Sequence, residues 1–567
     1  MHGPTEHERL SGREAWPAVA DADAAAARLA RAALSRRQVL RAALVLGSGG
    51  LVSALLAACG GNGTATATTG TTGAATNAAV PPTTGATAGP TGTTAAAATP
   101  AGGAVTGSPS AVASPTTAAI ASPVGSPAGS PAAGSYPPIA TGPKYTASAS
   151  ITVWGFGTEP TNPLAFTRFD AFQKAYPNIK VDHVSKIDNQ KILTAAASKT
   201  LPDILWLGRS DMASWESRGV LRAADDYIKR DNFDTSRFYK SALDEVTFDN
   251  KVYGIPQFTT VRALYVNTDD LKAAGTDPNS LDAGNWDQLT TLAGKLVKKN
   301  GQQIQRWGFN HKIQDGWLWL WGLANGGTFI SDDLKKVSYN DPKIVEALDW
   351  GVKDFDAQGG YQAFQAFSTS SPVWTANEEF ARDLVSLTVY ENWMLGLIAQ
   401  TVPERNFVVM PVLKRNGSKD DWISFATGQA WCMTSGVKNA DAAWEFIKFM
   451  CEESTWLIGA NGTKDYQKKN NKPYIPTLTS DKIADQLQIT QVYEPIAPKF
   501  DNAIKLFAAL QDKSQPIPVS RSPVSTQLQD DLNNLAAKPA LNHETSAQDG
   551  LNRANQKAQQ DIDSFRP

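Results

Sequence analysis

Three tryptophans stand two residues apart in the segment DGWLWLWGLANGG at 315–327. An indole ring can stack on the flat C–H face of a ligand and remove apolar area from water, which is worth about 25 cal/mol per Å². The same rings could instead pack in a hydrophobic core or form an adhesive surface. The segment is therefore a candidate binding site whose interpretation depends on the elements that position it.

Residues that could catalyse a reaction or hold a metal are sparse. His183, His311 and His543 are widely separated and lack the spacing of a metal-binding pair, and no serine-nucleophile elbow or phosphate-binding glycine–lysine loop occurs. A pair of acids remains open, because a glycosidase needs only two carboxylates that the fold brings together. Cys432 and Cys451 could be buried thiols or one buried disulfide. We expect no metal and no cofactor.

The overall charge argues against a nucleic-acid partner. Lys and Arg together number 53 and Asp and Glu 55, which gives a formal net charge of -2. Nucleic-acid-binding chains usually carry a basic excess. At 567 residues, the chain exceeds one typical domain and predicts two or more compact units or one large two-lobed unit.

The first 59 residues have the pattern of an export signal. Arg36 and Arg37 precede a charge-free stretch at 42–58, which ends in Leu-Ala-Ala before Cys59 and resembles a lipobox. Twin arginines followed by an apolar region indicate the Tat route. A transmembrane anchor is the alternative, but a span needs roughly 20 mostly apolar residues. We therefore predict that 1–59 is a Tat-type lipoprotein signal peptide and that Cys59 is lipidated.

Residues 60–147 predict a flexible linker. No Asp, Glu, Lys or Arg occurs between Cys59 and Lys144, and the composition is dominated by Thr, Ala, Gly, Pro and Ser. Such a segment cannot bury enough apolar surface to offset its ordering entropy. As a coil of roughly 85 residues it would span about 50 Å, which suits a tether between a lipid and a folded domain.

The residues from 148 onward alternate strand and helix patterns. Apolar runs at 151–155 and 179–183 predict strands, and aromatic residues at helical spacing in 166–176 predict a helix between them. We also expect strands at 204–207, 252–256 and 263–266, with helices from Gln190, from Asp211 and at 286–298. This order predicts an α/β fold built from parallel βαβ units.

Several short stretches together resemble a known family. In chain order they are FQKAYPNIKV at 172–181, PDI at 202–204, GVL at 219–221, YGIP at 253–256, ALYVN at 263–267, WDQL at 286–289, NW at 392–393, AAWEF at 442–446 and YIP at 474–476. The pattern resembles the extracellular solute-binding proteins of ABC importers, in the sugar-binding branch related to maltodextrin-binding protein. The resemblance covers about 148–567.

The resemblance implies two α/β lobes joined by crossing strands, with a cleft that closes on a ligand. It assigns 148–262 and 406–455 to the first lobe, and 263–405 and 456–567 to the second. Loops at the carboxyl ends of parallel strands would face the cleft. On this basis the candidate ligand contacts are Trp154, Thr158, Glu159, Arg209, Ser210, Asp211, Gln257, Thr260, Trp393, Gln429 and Arg521.

Several of these residues have an alternative structural role. Trp154 could pack in the core, Glu159 could be a solvated loop acid, and Asp211 could cap a helix. Gln257 and Thr260 could be ordinary hinge residues.

The tryptophan segment can be placed within the same architecture. We expect a helix, because Asp315 is a suitable N-cap and two glycines follow the last tryptophan. Trp317 would then lie at the cleft edge with Gln314, Trp319 would form a second wall, and Trp321 would belong to the core.

The implied function is a lipid-anchored receptor, not an enzyme. It would capture a mono- or oligosaccharide outside the cytoplasmic membrane as a monomer and deliver it to ABC permease subunits. Stacking on indoles and hydrogen bonds from planar polar side chains suit the two surfaces of a pyranose. The alternatives are a receptor for a peptide, polyamine or iron complex, a secreted glycoside hydrolase that uses Glu159 and another acid, and a structural surface protein on a stalk.

Overall fold

The computed structural model describes residues 145–369 and 378–566. The expectations for the signal peptide, for Cys59 and for nearly all of the linker lie outside the described residues. Among the helices that are described, none is long and apolar enough to cross a membrane.

The strands of the described chain alternate with helices from the start, as the sequence predicts. In chain order the strands are β1 Ala149–Trp154, β2 Ile179–Val184, β3 Ile204–Gly208, β4 Thr247–Phe248, β5 Lys251–Val252, β6 Ile255–Asn267, β7 Lys298–Asn300, β8 Gln303–Asn310, β9 Val385–Glu391, β10 Phe407–Met410, β11 Val412–Leu413, β12 Trp422–Ile423 and β13 Ala426–Met433.

The helices vary from a single turn to five turns. In chain order they are α1 Pro163–Ala175, α2 Asn189–Ala197, α3 Met212–Glu216, α4 Asp225–Arg230, α5 Lys240–Asp244, α6 Thr268–Ala273, α7 Trp286–Leu296, α8 Leu318–Ala324, α9 Pro342–Gln358, α10 Tyr361–Ser368, α11 Met394–Thr401, α12 Ala440–Cys451, α13 Glu453–Lys469, α14 Lys482–Leu487, α15 Pro498–Asp512, α16 Ser525–Asp531, α17 Lys538–Leu541 and α18 Ala547–Ser564.

One large mixed sheet runs through the molecule in the order β2-β1-β3-β13-β6-β9-β8-β7. β1 pairs in parallel with both β2 and β3, which confirms the predicted βαβ unit at the start of the domain. β13 lies antiparallel between β3 and β6. The α/β fold class is therefore confirmed.

The strand β6 connects two halves of this sheet. Its first half pairs with β13, and its second half pairs with β9 on one side and β10 on the other. The sequence predicts two separate strands at 252–256 and 263–266, whereas the structure has one strand across Ile255–Asn267. Gln257, Thr259 and Thr260 hide this continuity in the sequence, although nearly every position of β6 is buried.

Two groups of hydrophobic clusters define two lobes. Helices α1 and α12 pack on strands β1–β3 at one end of the sheet, whereas α7 to α9, α15 and α18 pack with the strands at the other end. We call 145–260 and 427–469 the first lobe, and 261–369, 378–426 and 498–566 the second lobe. The segment 470–497 contacts both, since Tyr474 packs on α13 and Leu478 joins the larger cluster.

Two segments lie in a different lobe from the one that the resemblance implies. Residues 406–425 pack with the second lobe, because β10 pairs with the second half of β6 and Phe425 belongs to the larger cluster. Helix α13 packs along α1 of the first lobe, where the Arg168 guanidinium carbon lies 3.8 Å from the centre of the Trp456 ring. Cys432 and Cys451 are both buried and form no disulfide.

A carboxylate buried in the second lobe predicts a pH-dependent stability. Burial raises the pKa of Asp354 in α9 to about 8, although Gln358 Nε2 donates to Asp354 Oδ2 at 2.7 Å. The folded protein keeps this proton up to about pH 8, whereas the unfolded chain loses it at about pH 3.9. The free energy of unfolding therefore falls as the pH rises through this window. For Asp354→Asn, we expect a gain in the free energy of unfolding that grows by roughly 1 kcal/mol per pH unit in this window.

Urea unfolding of both proteins across this pH range measures the gain. Asp356→Asn is the matched control, because Asp356 lies one half-turn away on the same helix and is partly exposed beside His543. A gain for Asp354→Asn that is the same at every pH would contradict the prediction.

Candidate functional site

A large cleft lies where β6 and β13 pass between the lobes. It encloses a cavity of about 700 Å³ with walls from both lobes. Ser210 and Gln429 face it from the first lobe, and Trp317, Trp319 and Trp393 face it from the second. A volume of this size is typical of a small-molecule binding site.

The second lobe contributes a wall of aromatic rings. Trp317 lies just before α8, and its ring centre is 6.0 Å from that of Tyr390 in β9. Tyr390 in turn makes an edge contact with Trp393 at 5.2 Å. Trp319 lines the same cavity while it packs on Phe329 at 4.5 Å. Both Trp317 and Trp393 thus border one shared space.

The tryptophan segment differs from the predicted single helix. Ile313–Asp315 forms a separate 3₁₀ turn, and α8 begins only at Leu318, so the prediction that Asp315 is the N-cap is wrong. The reason is Gly316, whose φ of 88° is left-handed and interrupts the helix. The prediction that Trp321 belongs to the core is confirmed, because its ring is buried and Nε1 donates to the His311 carbonyl at 2.8 Å.

A buried ion pair supports the aromatic wall. Arg262 Nη2 in β6 lies 2.7 Å from Glu391 Oε1 at the end of β9, and both side chains are nearly fully buried. The Arg262 guanidinium carbon lies 5.0 Å from the ring centres of Trp317 and Phe425. Glu391 Oε2 also accepts a hydrogen bond from Trp393 Nε1 at 2.6 Å. This network fixes the positions of two rings that face the cavity.

The first lobe and the crossing strands contribute polar groups. Thr260 in β6 and Thr427 in β13 share a hydrogen bond between their hydroxyl groups at 2.9 Å, and both line the cavity. Gln429 Oε1 is buried and accepts no hydrogen bond from any of the residues that the structure describes. A buried acceptor without a partner costs about 1–3 kcal/mol, which a ligand with a donor group would recover.

Gly428 lets the two crossing strands approach closely. Its φ is 155°, and a Cβ at this position would overlap the Phe258 carbonyl oxygen and lie 2.5 Å from Arg209 Nη1. Phe258 and Gln429 therefore face the cavity on adjacent strands at a distance that a side chain at 428 would prevent.

Arg209 and Asp211, which flank Ser210, do not line this cavity. Arg209 is fully buried and its Nε donates to Glu245 Oε2 at 2.9 Å. Asp211 Oδ1 accepts a hydrogen bond from Thr526 Oγ1 of the second lobe at 3.1 Å. Burial raises the pKa of the Asp211 carboxyl, the Thr526 hydrogen bond opposes this, and the nearby Asp530 adds to it.

Two candidates line a second, smaller cavity of about 390 Å³. Glu159 and Gln257 face it, and it shares Leu164 and Phe258 with the larger cavity. Gln257 Oε1 also accepts a hydrogen bond from Trp206 Nε1, and Trp206 lines this smaller cavity as well. The two cavities therefore adjoin in the first lobe.

Four further candidates, in addition to Arg209 and Asp211, lie outside both cavities. Lys191 Nζ lies 4.5 Å from the Trp154 ring centre, and Thr158 Oγ1 is 2.8 Å from His183 Nε2. Gln314 is buried, and its Nε2 donates to Asn310 Oδ1 at 2.8 Å. Arg521 is exposed.

Sequence reasoning missed several residues that line the larger cavity, among them Phe258, Arg262, Glu391, Phe425, Thr427 and Asn533. Arg262 and Glu391 had a usable signal, because each is the one charged residue of an otherwise uncharged strand. Asn533 had none, since nothing local to the sequence brings this late segment to the cleft. Within 145–369 and 378–566, no group of His, Cys, Asp and Glu is arranged to hold a metal ion.

The chain is similar to known binding proteins. A model of the bacterial extracellular solute-binding protein family matches residues 167–465, slightly more than half of the chain. The lactose-binding protein of Rhizobium radiobacter is 28% identical over 191 residues, which cover 32% of this chain and 42% of that protein. The chain spans less than two thirds of the length of the curated relatives that it matches.

The fold is shared with solved structures. The mannotriose-bound protein CpMnBP1 aligns with a TM-score of 0.60 and 23% identity over 72% of this chain and 100% of that chain. An ABC substrate-binding protein from Listeria monocytogenes in complex with cycloalternan aligns with a TM-score of 0.60 and 18% identity, over 74% of this chain and 100% of that chain. The family consists of binding proteins rather than enzymes, and the chain is therefore a bacterial extracellular solute-binding protein.

Proposed function

We propose that this protein captures a carbohydrate in the cavity between its lobes and delivers it to an ABC permease. Relatives are named for lactose and maltodextrin, and related solved structures hold mannotriose and cycloalternan. These names describe other proteins, but they agree in the chemical class of the ligand. We propose the same class here because the cavity has matching chemistry.

The observation that carries the proposal is the shared cavity of Trp317 and Trp393. Two indoles border one space that polar side chains of the other lobe also border. A pyranose has a C–H face that stacks on an indole and an edge of hydroxyl groups that needs donors and acceptors. The aromatic wall would stack on the C–H face of the sugar. Its hydroxyl groups would form hydrogen bonds with Ser210, Thr427 and Gln429.

An oligosaccharide is the ligand size that we favour. The larger cavity has about 700 Å³ and adjoins the smaller one of about 390 Å³ through Leu164 and Phe258. A chain of two or more sugar units could extend from one into the other, where Glu159, Gln257 and Trp206 would meet it. Because such a ligand contacts both lobes, it would favour the closed arrangement over an open one.

Membrane anchoring and delivery complete the proposal. A lipid on Cys59 and a linker of about 50 Å reach would keep the domain near the outer face of the membrane. The liganded domain would then meet permease subunits without diffusing away, since tethering raises the effective concentration of the pair.

Trp393→Ala should weaken carbohydrate binding. Loss of one stacked indole removes buried apolar area worth about 1.5–3 kcal/mol, so we expect the Kd to rise by about tenfold to a hundredfold. A thermal-shift screen of lactose, maltotriose, mannotriose and cycloalternan identifies the ligand, and calorimetry measures the Kd for both proteins.

Trp154→Ala is the matched control, because Trp154 is also half-buried but borders neither cavity. We expect its Kd within about twofold of the wild type. Equal losses in the two variants would contradict the stacking role of Trp393, and release of reducing ends from any sugar would contradict a binding function.

Cys59→Ala should release the protein from the membrane. A lipid chain gains about 0.8 kcal/mol per buried CH₂, whereas the linker has no long run of large apolar residues to replace it. When the full chain is expressed in a host that processes lipoproteins, we expect labelled fatty acid in the wild type and none in the variant. Membrane retention of the variant without label would show that another segment anchors the chain.

A further inference from the structure

Arg209 lies beneath the cavity floor rather than in the cavity. It follows β3 and opens the 3₁₀ turn Arg209–Asp211, which is why its position in the sequence suggests a ligand contact. Its side chain is completely buried, however, and its partner Glu245 is equally buried. The guanidinium is therefore committed to the protein interior.

The guanidinium contacts three chain segments that meet between the lobes. Arg209 Nη1 donates to the Phe258 carbonyl of β6 at 2.6 Å and to Ser480 Oγ at 3.3 Å, and it lies 3.5 Å from the Gln429 carbonyl of β13. Ser480 belongs to the segment that runs beside β6, where Thr259 and Ser480 share a hydroxyl hydrogen bond at 3.0 Å. One side chain thus reaches β6, β13 and the Ser480 segment.

Stability alone is a weak explanation for this arrangement. Burial lowers the pKa of Arg209 and raises the pKa of Glu245, while the attraction between the two opposes both shifts. A buried ion pair commonly stabilises a protein no more than apolar side chains of the same volume would. The role of the ion pair therefore lies in the backbone segments that it holds in place.

We infer that Arg209 is a positioning residue that fixes the register of β6, β13 and the Ser480 segment, and so orients Phe258 and Gln429 toward the ligand. Both of these residues line the cavity, and Arg209 contacts the backbone carbonyl of Phe258 and approaches that of Gln429. The effect on ligand affinity rests on the proposed function, whereas the effect on the strands does not.

An arginine is needed because the contacts point in different directions. Its planar fork can donate to Glu245 through Nε and to Phe258 and Ser480 through Nη1 at the same time. A lysine could satisfy the charge of Glu245, but its single ammonium group cannot reach all these acceptors in one geometry. Gly428 provides the space that the fork occupies.

Arg209→Lys in the full chain tests this inference by amide hydrogen exchange without ligand. We expect exchange of 258–260 and 427–430 to become about tenfold faster, because the strands lose a shared donor. Arg237→Lys is the matched control. Arg237 is another nearly buried first-lobe arginine, with ion pairs to Glu453 and Asp481 at 2.8 Å each, and it borders neither cavity.

The two variants are compared at equal free energy of unfolding, adjusted with urea, so that global destabilisation cancels. Equal exchange of 258–260 and 427–430 in both would overturn the inference. If Arg209→Lys does not fold, Ser480→Ala replaces it as the test variant. It removes the Ser480 hydroxyl that accepts from Arg209 and leaves the Arg209–Glu245 ion pair intact. We then expect about threefold faster exchange at 258–260, and unchanged exchange there would overturn the inference.

Calorimetry with the sugar that stabilises the wild type supplies the second readout. We expect the Kd to rise about tenfold in Arg209→Lys and to stay within about twofold in Arg237→Lys. An unchanged Kd in Arg209→Lys would overturn the link to the ligand. If the wild type binds no sugar, the proposed function fails, while the exchange comparison still decides the role of Arg209.

Discussion

Strand β6 pairs with β13 through its first half and with β9 and β10 through its second half, so it has to satisfy both lobes. Its backbone hydrogen bonds set the register of the crossing, and a slip by one residue would turn every side chain to the opposite face. The side chains of 258–262 are consequently fixed either toward the cavity or into the interior. Strand pairing therefore determines where the cavity lies before any ligand is present.

The charged residues near the crossing are arranged within lobes. Arg209 pairs with Glu245 inside the first lobe, and Arg262 pairs with Glu391 inside the second. A change in the angle between the lobes need not separate either pair, which would be costly in a buried setting. Contacts that do join the lobes include the weaker hydrogen bonds from Thr526 to Asp211 and from Ser214 to the Pro523 carbonyl. The buried ion pairs therefore stabilise each wall of the cavity separately, whereas weaker hydrogen bonds connect the two walls.

The sequence predicted the fold better than it predicted the site. The early βαβ unit and the burial of Trp321 could be read from local apolar spacing, because burial on one face repeats with the period of the element. The continuity of β6 could not, since its polar residues look like a loop until the partner strands on both sides are known. The helix start at Leu318 depended on the conformation of Gly316, which spacing does not reveal. Arg209 shows a further limit, because position after a strand does not tell whether a side chain points into the cleft or beneath it.

The two walls of the cavity differ in how firmly they are held. Trp317 is packed against Tyr390 and Arg262, and Trp393 is bonded to Glu391, so the aromatic wall is ordered without a ligand. Gln429 instead has a buried oxygen with no hydrogen-bond partner within 145–369 and 378–566. Every pyranose offers a C–H face, so stacking on the rigid wall distinguishes poorly among sugars, whereas an unmatched hydroxyl leaves a polar group unpaired at about 1–3 kcal/mol. On the proposed function, affinity would come mainly from the second lobe and the choice of sugar mainly from Ser210, Thr427 and Gln429.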